Sequence, residues 1–239
     1  VLGKHCWQES RIAIFKQAVD TRNEREVQDA IIPRVHFGKG YIDSWLDLFE
    51  DNSYYSPILP EVKHVPTENL QHFNMHNGTI WRWIRPILGV EQDLYHLRLE
   101  LRVTPSGPTQ IDTMANMVFF IGLLEGLKLK PEELTRVPFA TLEQDFYRVA
   151  REGLRARVNW CDGEVNCIQT LLLKKALPTA LIGLQQLGIE NPQKWLDIIQ
   201  ARVASGRTGA DWILRFHHKN NDLNALVLAY LANAKSNRP

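Results

Sequence analysis

Residues 95–103 read YHLRLELRV and alternate without a break. Leu97, Leu99, Leu101 and Val103 fall on one side; His96, Arg98, Glu100 and Arg102 fall on the other. A period of two is the mark of a β-strand with unlike faces. The leucine face predicts burial. The opposite face sets arginine, glutamate and arginine about 6–7 Å apart. Such a row is either a wet surface laced by cross-strand pairs or the floor of a site.

Upstream, TIWRWIR over 79–85 alternates as well, and Pro86 and Gly89 lie between the two runs. The pattern predicts an antiparallel pair, 79–85 with 95–103, joined by a long loop. That pair would gather Arg82, Arg85, Trp81 and Trp83 around Glu100. Downstream, Pro105, Gly107 and Pro108 end the second strand, and Thr109 is placed to cap a helix with Asp112 in its first turn. A helix start beside a cationic strand is a natural place for an anion.

Toward the N-terminus, residues 10–22 carry helical spacing, 34–40 read as a short strand ended by two glycines, and 41–51 again space their apolar residues as a helix. Residues 54–66 are broken by prolines and read as loop, with Thr67 as a helix cap after them. Beyond 130 the chain reads as helices over 141–158, 165–188, 191–206, 208–218 and 222–235, with no strand. Asn191 is the expected cap of the third, with Pro192 in its first turn. The fold class is α+β: a sheet-containing part over 1–130 and a mainly helical part over 131–239, within one domain.

Composition narrows the function. The chain has 239 residues, 44% hydrophobic and 23% charged, with a net charge of +1. That balance removes the electrostatic case for nucleic acid or an anionic membrane as partner. The apolar run over 114–127 is short for a membrane span and is interrupted by Glu125. Cys6, Cys161 and Cys167 lack metal-ligand spacing, and their odd number argues against a disulfide framework. With no signal peptide in view, a cytoplasmic setting is expected. Residue 1 is not Met and the chain opens mid-pattern, so a fragment is expected. His217 and His218 are adjacent and point to different helix faces. The GKG at 38–40 lacks the spacing of a phosphate loop.

The segments HNGTIWRWIRPILG (76–89) and HLRLELRVTPSGPTQID (96–112) resemble the core of the glutamate–cysteine ligase-like, or carboxylate–amine ligase, family, which is related to glutamine synthetase. Weaker likenesses lie in 10–22, 37–49, REGLRARV (151–158) and ASGRTGADWIL (204–214). The resemblance implies a glutamine synthetase-like catalytic domain, here its C-terminal portion. It implies ATP-dependent, Mg²⁺-dependent joining of a carboxylate to an amine through an acyl phosphate. Glu100 would be the Mg²⁺ ligand, and Arg85 and Arg102 would hold the substrate carboxylate or the phosphate being transferred. Arg11, His76, Asn77, Trp81, Trp83 and Arg98 would contact substrate or nucleotide. The family's carboxylate-rich strand nearer the N-terminus has no counterpart in these 239 residues. The alternative is therefore a non-catalytic nucleotide- or amino acid-binding module, or an interaction domain, derived from that family.

Overall fold

A computed structural model describes residues 7–20, 22–38, 40–55, 70–92 and 94–238, apart from the side chain of Trp45. The expected loop at 54–66, beyond Tyr55, the Thr67 cap and Cys6 lie outside the described residues. The chain mixes helix with two small antiparallel sheets. It forms two compact units, Val1–Thr104 and Pro105–Pro239.

In the first unit, α1 (Ser10–Val19), α2 (Glu24–Gln28), α3 (Trp45–Ser53) and α4 (Gln71–Gly78) precede a hairpin of β1 (Ile84–Glu91) and β2 (Leu94–Leu101). Ser44 starts α3 with a capping box, its side chain accepting from Asp47 N while Asp47 returns to Ser44 N. The core includes Ile12, Val35, Leu48, Ile80, Trp83 and Leu88.

The hairpin register corrects the sequence expectation. Arg85 stands opposite Glu100 and Glu91 opposite Leu94, so only 92–93 separate the strands. Pro86 and Gly89 lie inside β1 instead of in a loop. Pro86 is tolerated for a geometric reason. Arg102 N donates to Trp83 O at 2.9 Å, so pairs at even offsets from Trp83–Arg102 exchange hydrogen bonds and Pro86–Leu99 does not. The missing N–H of Pro86 faces away from β2. A Cβ on Gly89 would meet the end of the His96 ring, so a larger residue there requires that ring to swing aside. The expected strand at 34–40 reduces to one parallel bridge, Val35 with Trp81.

Burial on β2 also departs from expectation. On the leucine face Leu97 and Leu99 are 47% and 59% exposed, whereas on the other face the Arg102 side chain is only 19% exposed. The leucine face is open, and on the charged face shelter is confined to the Arg102 end: Arg98 is exposed and the Glu100 side chain is 41% exposed. Alternation locates the two faces but does not say which of them is covered.

The second unit contains α5 (Gln110–Leu127), α6 (Pro131–Leu134), α7 (Phe139–Glu152), β3 (Arg157–Asn159), β4 (Val165–Cys167), α8 (Ile168–Leu171), α9 (Leu177–Gln186), α10 (Gln193–Ser205), α11 (Gly209–Asn220) and α12 (Leu223–Ser236). Thr109 caps α5 and Thr208 caps α11, each accepting from the backbone N–H of an Asp three residues on. Both segments read S-G-x-T-x-x-D, at 106–112 and 205–211. Although the sequence reading divides the chain at 130, α5 packs with the helices after it. Its Gly122 and Gly126 close on Ala180 and Thr179 of α9, and a Cβ on Gly122 would meet Ala180 O at 2.6 Å. Around that crossing lie Ala115, Leu177, Leu184, Leu196, Ile199 and Val203.

Three expectations fail here. The β3–β4 ribbon interrupts the helices expected over 141–158 and 165–188. Its strands have three residues each, too few to express a period of two, although Asp162-Gly163 is a hairpin turn signal, with Gly163 at φ 85. Asp145 of α7 fastens the ribbon by accepting from Asn159 N at 2.8 Å and Asn159 Nδ2 at 2.9 Å. Beyond β4, the helical run widens to a π turn over Leu172–Ala176 before Pro178, which has no N–H to give the preceding turn. Finally, the N-cap of α10 is Pro192, not Asn191, and no side chain caps it.

Candidate functional site

The site is built from the hairpin outward. Cross-strand pairing puts Arg85 and Glu100 on one face, and the strand period adds Arg102 to it. Arg85 Nε lies 2.8 Å from Glu100 Oε2, and Arg102 Nε lies 3.6 Å from the same oxygen. Glu100 Oε2 and Arg85 Nε are shielded from water, yet neither has a hydrogen-bond partner among the described residues. They touch as charges without the alignment of a hydrogen bond. A shielded carboxylate oxygen with an unused lone pair retains capacity for a further donor or cation.

Aromatic rings fix the second arginine. The Arg102 guanidinium lies 3.6 Å from the Trp81 ring centroid. Phe15 of α1 stacks on Trp81 at 4.0 Å and 17°. Trp83 meets both rings edge-on, at 6.1 Å from Trp81 and 6.0 Å from Phe15. One turn before Phe15, Arg11 donates through Nη2 to Val103 O, tying α1 to the end of the hairpin. Burial holds the Arg102 guanidinium below its ordinary value; Arg85 adds to that lowering and Glu100 opposes it.

The other candidates stand differently. The amide of Asn77 is committed at both ends, donating to Pro86 O at 2.8 Å and accepting from Arg82 Nη1 at 2.9 Å. Arg82 is buried and also donates to Asp51 and Asn52 of α3. It thus belongs to a structural network and not to the charged face. His76 of α4 is half-buried, and its Nε2 has no partner among the described residues. Burial lowers its pKa from 6.5; the Tyr55 backbone opposes this, and Arg34 and Arg82 add to it. Arg98 is exposed, two residues before Glu100 on β2 and opposite Ile87.

Arg11, Trp81, Trp83, Arg85, Glu100 and Arg102 are thus linked through one cluster. His76 and Asn77 lie in or beside the Arg82 network, and Arg98 points to solvent. Sequence reasoning missed Phe15, whose i, i+4 relation to Arg11 was the available signal. It also missed the Asp51–Arg82 ion pair, whose partners are 31 residues apart with no local pattern to join them.

The cluster is suited to an oxyanion: two guanidinium groups, one fixed by stacking, flank a single carboxylate. Among the described residues there is no group of three or more His, Cys, Asp or Glu for a metal ion. Glu100 Oε2 fits Mg²⁺ only as one protein ligand to an ion that takes its other oxygens from phosphate and water, a habit of Mg²⁺ sites. The second unit has its own cavity of about 850 Å³, lined by Asp112, Arg202, Arg207, Trp212 and Tyr230 among others, none of them a sequence candidate. Among the described residues no helix is long and apolar enough to cross a membrane. No protein-family model matches the chain, and no curated protein matches it.

Proposed function

We propose that the charged face of the hairpin is the phosphate- and carboxylate-holding wall of an ATP-dependent carboxylate–amine ligase with a glutamine synthetase-like catalytic domain. One observation carries the proposal: the water-shielded Glu100 Oε2, without a hydrogen-bond partner among the described residues, lies between Arg85 and a stacked Arg102. A surface ion pair would leave its oxygens to water. Here the side chain is 41% exposed, yet this one oxygen is shielded from water and touches two guanidinium groups without a hydrogen bond among the described residues.

In the proposed reaction a carboxylate oxygen, glutamate's or a similar acid's, attacks the γ-phosphorus of ATP and ADP leaves, giving an acyl phosphate. An amine nitrogen then attacks the acyl carbon, phosphate leaves, and the nitrogen loses a proton to form the amide. Arg85 and Arg102 hold the anionic oxygens and offset charge as the phosphoryl group moves. Trp81 and Phe15 keep Arg102 in one orientation, which removes reorganisation from the barrier. Glu100 would hold Mg²⁺, whose chemistry is to neutralise phosphate oxygens when bound.

The test is Mg-ATP turnover by the 239-residue chain with glutamate and a panel of amines, followed by Glu100→Gln. The variant should lose turnover with its thermal midpoint unchanged. Turnover near the parent level would overturn the assignment of Glu100. Thermal stabilisation by Mg-ATP without turnover would favour the alternative, a non-catalytic nucleotide-binding module.

A further inference from the structure

We propose that the cleft at the start of α5, within the second unit, binds a nucleoside monophosphate: an amine-bearing base joined through its sugar to one phosphate. The cleft has a volume of about 850 Å³, in the range of small-molecule sites, and shares no residue with the hairpin cluster. Two clasps hold its walls to α5. Arg202 of α10 donates through Nη2 to Asp112 Oδ1 at 2.6 Å and through Nη1 to Asn116 Oδ1 at 2.8 Å. Asn237, just past α12, accepts from Ile111 N at 3.1 Å. The walls are therefore in place before a ligand arrives, and binding does not have to order them.

Charge selects an anion and places it. Arg202 is committed to Asp112. Arg207 and Arg238 also line the cleft; both are exposed, and neither guanidinium has a partner among the described residues. Both adjoin the first turn of α5. Arg207 lies two residues before Gly209, where a Cβ would touch Pro108 at 3.6 Å, and Arg238 follows the Asn237 that holds Ile111. The second carboxylate of the cleft, Asp197, lies two turns of α10 before Ser205, about 12 Å away, whereas Arg207 N donates to Ser205 Oγ at 3.3 Å. The cleft thus has a cationic end that accepts an anion and an acidic end that repels one.

Oxygen count favours phosphate over carboxylate. A carboxylate has two oxygens and satisfies one guanidinium fork; a phosphate monoester offers three oxygens and close to two negative charges to two forks and two cations. A di- or triphosphate would bring more charge than the two uncommitted arginines offset. The rest of the wall suits a base. Trp212 and Tyr230 line it, both half-buried, with ring centroids 6.0 Å apart at 57°. With Ile198 and Ala201 of α10 they supply apolar and aromatic surface for stacking. Asp197 takes Gln193 Nε2 on Oδ1 at 2.7 Å and has its other oxygen open to an exocyclic amine.

The test is isothermal titration of AMP, adenosine and inorganic phosphate into the 239-residue chain and into its Arg207→Gln, Arg238→Gln and Arg85→Gln variants. AMP should bind one to one with a Kd below about 1 mM, and adenosine or phosphate alone at least about tenfold more weakly. Arg207→Gln and Arg238→Gln should each weaken AMP at least about tenfold, the loss of a charge-assisted contact. Neither guanidinium holds a partner among the described residues, so the thermal midpoints of these variants should match the parent. Arg85→Gln, on the hairpin, should leave AMP binding unchanged. AMP binding weaker than about 5 mM would overturn the proposal, as would phosphate binding as tightly as AMP. AMP binding that survives both cleft substitutions, or is lost in Arg85→Gln, would overturn it too, the last by assigning the nucleotide to the hairpin.

Discussion

Arg82→Met is the sharpest perturbation of the scaffold beneath the proposed site. Arg82 and Asp51 are 4% and 7% exposed. The guanidinium also donates to Asn52 at 2.7 Å and Asn77 at 2.9 Å. Met restores the apolar stem but leaves the Asp51 carboxylate buried and uncompensated, a loss of about 3–5 kcal/mol. Asp51→Leu should cost a similar amount by stranding the guanidinium. The double variant removes both charges. Its remaining penalty is the two amide oxygens left without a donor, about 1–3 kcal/mol each. It should therefore cost about 2–6 kcal/mol, where addition of the single losses gives about 6–10. Urea unfolding followed by tryptophan fluorescence reads this directly. With a slope of about 2 kcal/mol per molar, either single variant moves the midpoint down by about 2 M. Losses that simply add, or a single-variant loss below about 1 kcal/mol, would refute the buried-charge account.

Other expectations follow from the same contacts. Gly122→Ala sets a methyl against the Ala180 carbonyl oxygen, at 2.6 Å before any adjustment; backbone cannot move aside as a side chain would, so a melt should report about 1–3 kcal/mol lost. Thr109→Ala removes the cap that accepts from Asp112 N at 3.1 Å and should cost about 1 kcal/mol, with Thr109→Ser retaining most of it. His76 titrates below its ordinary 6.5 because of burial. On acidification through about 6.5 the unfolded chain therefore takes up a proton first, and stability falls from about pH 7 toward about pH 5. The midpoint of His76→Gln should vary less over that window; an equal slope in the two proteins would count against the histidine.

That Arg85 and Glu100 share one antiparallel pair was legible because both sit in alternating runs that a hairpin can join; the register that sets them opposite each other was not. The strand boundaries were not, because Pro86 reads as a breaker unless its nitrogen is known to face away from the partner strand. Helix starts with a side-chain cap, at Thr109, Thr208 and Asp222, are visible in the sequence since cap and first turn are local. The Asp51–Arg82 pair is a long-range contact and leaves no local trace. Which face of β2 is sheltered depends on what packs above it, and alternation is silent on that.

The outward-facing nitrogen of Pro86 has a consequence for how the ribbon can be extended. A strand added beside β1 would find no donor at that position, so growth on that side is penalised. On the far side of β2, where no strand pairs among the described residues, residues 97, 99 and 101 turn both N–H and C=O outward, beneath exposed Leu97 and Leu99. The hairpin is thus a template with one growing edge. Any strand that enlarges this sheet joins at β2, antiparallel or parallel, and roofs the leucines as it does so.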